Sequence, residues 1–216
     1  MSDPDLPQNK LGPYLEGVLD GFRGLQDITK FPGGQSNPTY LLTADSGEYV
    51  LRRKPFGKLL KSAHAVDREY RVIRALADSE VPVPRALHLC EDEDVIGAMF
   101  FVMSYVRARH FWDPALHELD NAGRSAIYDD MGRVLAALHS VDINAVGLGD
   151  FGPPGNYFER QVARWIKQYR ASETETVTDM DALIDWLPAN IPTDDGRVCL
   201  IHGDYRLDNI LFAPDS

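Results

Sequence analysis

A chain of 216 residues, 44% hydrophobic and 25% charged, has ordinary globular composition and room for one large domain or two small ones. A net charge of -11 with no Lys/Arg block argues against a nucleic-acid partner, and the acidity mildly suits a cationic small molecule. Met1 to Asn9 is polar with two prolines, and every apolar run falls far short of the roughly 20 residues of a membrane span. No secretory leader and no membrane partner are therefore expected, and the expected location is cytoplasmic.

Leu11 to Leu19 reads as a short leading helix. Leu25 to Phe31, Tyr40 to Thr43 and Glu48 to Arg53 read as strands of a meander. Its turns are Pro32-Gly33-Gly34-Gln35-Ser36-Asn37-Pro38 and Asp45-Ser46-Gly47. Ala63 to Ala77 has Val66, Tyr70, Ile73 and Ala77 at helical spacing, with Ser62 as candidate N-cap. Val81-Pro82-Val83-Pro84 is extended, since each proline pushes the preceding residue out of the helical region. Two more strands are expected at Ala86 to Cys90 and Met99 to Tyr105, around the acidic turn Glu91 to Asp94.

Beyond residue 105 the pattern turns helical. Ile127, Met131, Val134, Leu135 and Leu138 form one apolar stripe, and Phe158, Val162, Trp165, Ile166 and Tyr169 a second. Met180, Leu183, Ile184 and Leu187 form a shorter third. A β-rich first half and an α-rich second half imply an α+β chain in two lobes, residues 1–104 and 105–216. Cys90 and Cys199, each in an apolar run, read as small buried hydrophobes in a reducing compartment.

The Gly33-Gly34 turn opens no helix, which excludes a Walker-type loop. A glycine turn in a hairpin can instead fold over nucleotide phosphates, offering backbone N–H groups with no side chain in the way. Gly33, Gly34, Gln35, Ser36 and Asn37 are the candidate contacts there, Ser36 and Asn37 adding hydroxyl and amide donors. Strand alternation puts Val50 and Arg52 on one face, Leu51 and Arg53 on the other. Arg52 is the candidate phosphate cation; the plainer alternative is an edge strand carrying solvated basic residues. Glu69 lies on or beside the buried stripe of its helix, where a carboxylate is costly without a cation. An Arg52–Glu69 ion pair is expected, while Asp67 and Arg68 lie off the stripe.

The most informative stretch is His202-Gly203-Asp204-Tyr205-Arg206-Leu207-Asp208-Asn209, between the apolar runs Val198 to Ile201 and Ile210 to Phe212. These runs are expected to form two short strands that hold the octet. Asp204 and Asn209, five positions apart, suit phosphoryl transfer: the Asp takes the proton of a substrate hydroxyl, and the Asn carboxamide holds Mg²⁺ bridging ATP phosphates. A capped turn is the plainer alternative. Arg206 is a candidate to neutralise the transferring phosphate, or else a surface ion pair. His202 is expected to fix the loop through backbone, and Asp208 to be exposed. Asp150-Phe151-Gly152 precedes the octet by about fifty residues and reads as a turn.

The H-x-D-x4-N pattern resembles the catalytic loop of the protein-kinase fold, and the Gly in second place resembles aminoglycoside phosphotransferases and choline kinases. The resemblance covers roughly residues 25 to 212. It implies a β-rich N-lobe with one main helix, an incomplete helical C-lobe, and use of ATP and Mg²⁺ on a small-molecule hydroxyl. It places adenine against Met103, Ser104 and Val106. Leu51-Arg52-Arg53-Lys54-Pro55 and Gly155-Asn156-Tyr157-Phe158-Glu159-Arg160-Gln161 resemble the kinase-like domains associated with acyl-CoA dehydrogenases, which implies a hydroxyacyl acceptor. Two features depart from the family: Arg52 stands where a Lys is usual, and no further strand ending in a metal-binding Asp follows the loop. Asp215 lacks the apolar lead-in for that role. The expectations are then a piece of a longer kinase or a non-catalytic nucleotide- or partner-binding module.

Overall fold

The computed structural model describes residues 6–32, 37–56, 65–153, 155–194 and 196–213. By contacts the chain divides into Met1–Val141 with Ile201–Ser216, and Asp142–Leu200.

The larger unit is built on an antiparallel sheet of β1 (Leu25–Lys30), β2 (Thr39–Ala44), β3 (Gly47–Arg53), β4 (Ala86–Cys90) and β5 (Phe100–Ser104), in the order β1-β2-β3-β5-β4. The meander expected at residues 25–53 forms, and β3 lies at the centre with β2 and β5 on either side. The edge-strand reading of its basic residues therefore fails. Arg53 is 2% exposed, its Nη2 donates to Tyr40 Oη at 3.0 Å, and its guanidinium lies over the Phe56 ring. Buried cations of this kind are tolerated only with such partners.

Among the described residues each face of the sheet carries one helix. α1 (Gln8–Val18) starts three residues before the apolar spacing does, because the Pro7 carbonyl accepts from Leu11 N–H. Its Leu11 and Leu15 are fully buried with Tyr40, Leu42, Leu51, Phe100 and Val102. Each such side chain contributes about 1.5–3 kcal/mol. α2 (Val66–Ala75) lies along β4 and β5, with the Tyr70 ring against Phe101. The expected cap Ser62 lies outside the described residues, and Ala65 takes the cap position without a side-chain bond.

Tyr14 Oη lies 2.9 Å from His88 Nε2, tying α1 to edge strand β4. Burial lowers the pKa of His88, keeping the imidazole neutral and able to accept the phenol proton, and burial raises that of Tyr14. A depressed histidine pKa means that the unfolded chain binds the extra proton. The contribution is complete above about pH 6.5 and is lost as pH falls below it. His88→Gln is expected to flatten the fall in Tm between about pH 7 and about pH 5. Identical pH profiles in thermal melts of both proteins would refute this.

After the sheet, α3 (Asn121–His139) is capped by Asp120, whose carboxylate accepts from Gly123 N–H at 2.7 Å. In the smaller unit, α4 (Tyr157–Ser172) and α5 (Thr178–Ala189) are joined by Arg170, which pairs with Asp181 at 2.6 Å and Glu173 at 3.1 Å. Asn156 precedes α4 in a left-handed conformation, its N–H bound to Asp194 Oδ2. The expected apolar stripes fall on these helices, but their members Phe158, Trp165 and Leu183 are exposed. No helix among the described residues is long and apolar enough to cross a membrane.

The expected strand at Val198 to Ile201 does not form, because none of its residues gains a ladder partner among the described residues. Cys199 is consequently exposed, contrary to its reading as buried, whereas Cys90 is buried as expected. The Ile210 to Phe212 run is reduced to a single bridge, Phe212 with Arg109.

Candidate active site

Two groups of polar side chains match the sequence-predicted site, both within the larger unit. The first spans β2, β3 and α2. Arg52 Nε donates to Glu69 Oε2 at 2.6 Å, so the expected ion pair forms. Arg52 Nη1 donates to Thr39 Oγ1 at 3.0 Å, a partner the sequence reading missed because it lies directly across the ladder from Arg52. Asn37, expected to offer its amide to phosphate, is 3% exposed and its Nδ2 donates to Glu69 Oε1 at 2.7 Å. Gly33, Gly34, Gln35 and Ser36 lie outside the described residues.

The adenine-facing expectation falls at the end of β5. Met103 pairs with Val50 and Ala86, and Ser104 closes the strand, donating its N–H to Arg85 O and accepting from Arg85 N–H on its hydroxyl. Val106 follows, exposed and outside the sheet.

The second group is the octet. Gly203 has φ +85°, a conformation glycine adopts without strain, and it turns the chain between His202 and Asp204. His202 Nδ1 accepts from the Asp204 N–H at 3.4 Å, the backbone-fixing role expected of it. A 3-10 turn over Leu207–Asn209 then brings Asn209 back to Asp204. Asn209 Nδ2 donates to Asp204 Oδ2 at 2.8 Å and to Asp204 O at 3.0 Å. Both amide protons are thereby used, which leaves the carboxamide oxygen as the atom available to a cation.

Arg206 lies 3.5 Å from Asp204 Oδ1 through Nε and 3.0 Å from Asp208 Oδ2 through Nη2. Asp208 was expected to be exposed; its side chain is 26% exposed, half-buried by this pairing. Exposed ion pairs of this kind contribute at most about 1 kcal/mol. Arg206 therefore holds a positive charge near Asp204 with little gain in stability.

The octet is held from outside by groups that its sequence does not reveal. His110 Nε2 lies 2.7 Å from Asp208 O and Tyr205 Oη donates to Met131 O at 2.8 Å. Arg109 and Phe212 exchange both backbone hydrogen bonds. Beneath the loop, Leu207 and Phe212 pack with Phe111, Leu116 and Ile127. An exposed polar loop is thus fixed at its backbone, as a preorganised site requires.

The residues present fit a Mg²⁺ ion only as one carried by nucleotide. Asp204 and Asn209 offer hard oxygen donors, but no group of three or more His, Cys, Asp or Glu able to hold a metal occurs among the described residues. That is the donor set of a Mg²⁺ completed by phosphates and water.

Comparison with known proteins agrees with this fold. The model described as "Phosphotransferase enzyme family" matches residues 27–216. Acyl-CoA dehydrogenase family member 10 of Mus musculus is 46% identical over 212 residues, covering 98% of this chain and 20% of that protein. Acyl-CoA dehydrogenase family member 11 of Homo sapiens is 42% identical over 218 residues, with 97% and 28% coverage. This chain thus spans 20–28% of the length of these relatives.

Among solved structures, a candidate aminoglycoside phosphotransferase of Ralstonia eutropha JMP134 superposes with a TM-score of 0.86 at 47% identity, over 98% of this chain and 62% of its own. A spectinomycin phosphotransferase solved with ADP and spectinomycin has a TM-score of 0.58 at 16% identity, over 96% of this chain and 67% of its own, a likeness of fold alone. The sheet with its helices is that of a protein-kinase-like α+β fold, and with the match over residues 27–216 the chain belongs to the phosphotransferase enzyme family.

Proposed function

We propose that this chain carries the catalytic loop of a small-molecule kinase that transfers the γ-phosphoryl group of ATP, with Mg²⁺, to an alcohol. The observation that carries this reading is the hydrogen bond from Asn209 to the exposed Asp204, which holds one carboxylate oxygen and leaves the other towards solvent and Arg206. Asp204 accepts the proton of the acceptor hydroxyl as its oxygen bonds to the γ-phosphorus. The bond from that phosphorus to the β,γ-bridging oxygen breaks, and ADP leaves. Arg206 offsets charge developing on the equatorial oxygens, and Arg52, held by Glu69, orients the α- and β-phosphates. Mg²⁺, when bound with the nucleotide, supplies further charge neutralisation beside the Asn209 carboxamide oxygen.

The acceptor we propose is a hydroxyacyl compound, on the strength of relatives that bear acyl-CoA dehydrogenase names at 42–46% identity. The test is ³¹P NMR of the native gene product with Mg·ATP and, separately, a hydroxyacyl-CoA, spectinomycin or buffer alone. A new phosphomonoester signal with the hydroxyacyl compound is expected. Transfer to spectinomycin alone would replace the acceptor, and nucleotide binding without transfer to either would support a non-catalytic nucleotide-binding module.

A further inference from the structure

Four residues close a hydrogen-bonded ring, three through side chains alone and Asn37 through its side chain and its backbone carbonyl. Asn37 Nδ2 donates to Glu69 Oε1 at 2.7 Å, and Arg52 Nε to Glu69 Oε2 at 2.6 Å. Arg52 Nη1 donates to Thr39 Oγ1 at 3.0 Å, and the Thr39 hydroxyl donates to Asn37 O at 3.2 Å. Each oxygen of the Glu69 carboxylate thus receives one donor, from two different parts of the chain. Asn37 is almost wholly buried, so its amide cannot trade this partner for water.

We infer that Asn37 and Thr39 are positioning residues that make arginine, and not lysine, the competent phosphate cation at position 52. The inference rests on the kinase reading above. A guanidinium is planar, so engaging Nε with a carboxylate and Nη1 with a hydroxyl fixes the direction of Nη2. That nitrogen makes no hydrogen bond to a described residue and remains to receive phosphate. A lysine offers one nitrogen at the end of a flexible stem. It can neutralise Glu69, but it cannot bridge Glu69 and Thr39 while presenting a further donor in a set direction. Removing Asn37 frees one Glu69 oxygen to turn towards Arg52, so the guanidinium is drawn off its axis. The residue acts through Arg52 and not on the nucleotide.

The test is a double-mutant cycle on Mg·ATP affinity, measured by calorimetry well below the Tm of every variant. Asn37→Ala and Arg52→Lys are each expected to weaken Mg·ATP about 10-fold, and Thr39→Val by about 3-fold. Asn37→Ala made in the Arg52→Ala chain is expected to add less than a further twofold change. The same loss in both backgrounds would show that Asn37 acts independently of Arg52 and overturn the proposal. So would an Asn37→Ala protein that melts lower but binds Mg·ATP as the parent does, which is the mark of a purely structural role. Parental affinity in Arg52→Lys would overturn the preference for arginine. A parent chain that binds no Mg·ATP would overturn the kinase reading and the positioning role together.

Discussion

Replacing Asp204 by Ala is expected to lower phosphoryl transfer by about 10³-fold while leaving Mg·ATP affinity within about twofold. A positioned general base is worth about 10²–10⁴ in rate, and Asp204 touches the acceptor proton rather than the nucleotide in the proposed geometry. The carboxylate is exposed and makes one side-chain hydrogen bond, to Asn209, with Arg206 at 3.5 Å, so its loss exposes no buried partner. Stability should therefore change by no more than about 0.5 kcal/mol, as for other surface substitutions. Asp204→Asn is the sharper variant: it keeps the shape and a contact to Asn209 but accepts no proton, and it is expected to be as inactive as the alanine. A combined readout of transfer rate, Mg·ATP affinity and melting temperature separates the roles. Retained transfer in either variant would remove Asp204 from the chemistry, and a large loss of nucleotide affinity would make it a binding residue.

The sequence carried the parts of this site whose constraints are local. Alternation along β3 and the stripe of α2 put Arg52 and Glu69 on facing surfaces, and the cost of an unpaired carboxylate did the rest; the pair forms at 2.6 Å. The fivefold spacing from Asp204 to Asn209 likewise describes one short turn, which closes as a 3-10 segment. The contributions of Thr39, Asn37, His110 and Asp208 were illegible because each depends on register or on distant chain. Thr39 meets Arg52 through the pairing of β2 with β3, and His110 reaches Asp208 across 98 positions. A turn residue such as Asn37 looks like a ligand donor until its burial is known. The strands expected on either side of the octet failed for a related reason. Apolar β-branched runs supply the propensity, but a ladder needs a partner, and the described chain supplies only Arg109.

Truncating Phe212 to Ala should have the largest effect on stability of any change near the loop, about 3–5 kcal/mol. The ring is 3% exposed and lies 5.5 Å from that of Phe111, in a cluster with Leu116, Ile127 and Leu207. Its neighbour Leu211 is 59% exposed, so Leu211→Ala is the matched control and should cost about 0.5 kcal/mol or less. The two backbone hydrogen bonds between Arg109 and Phe212 survive either substitution on paper, since neither uses a side chain. They are worth about 1 kcal/mol each, however, and cannot replace the lost burial. The end of the octet should then loosen from the segment carrying His110, and Asp204 and Asn209 should lose their fixed separation while β1 to β5 remain folded. Denaturant unfolding checks the energy, and hydrogen exchange at residues 204–212 checks the locality. Equal costs for Phe212→Ala and Leu211→Ala, or exchange that rises uniformly over the sheet, would show that the aromatic cluster does not anchor the octet.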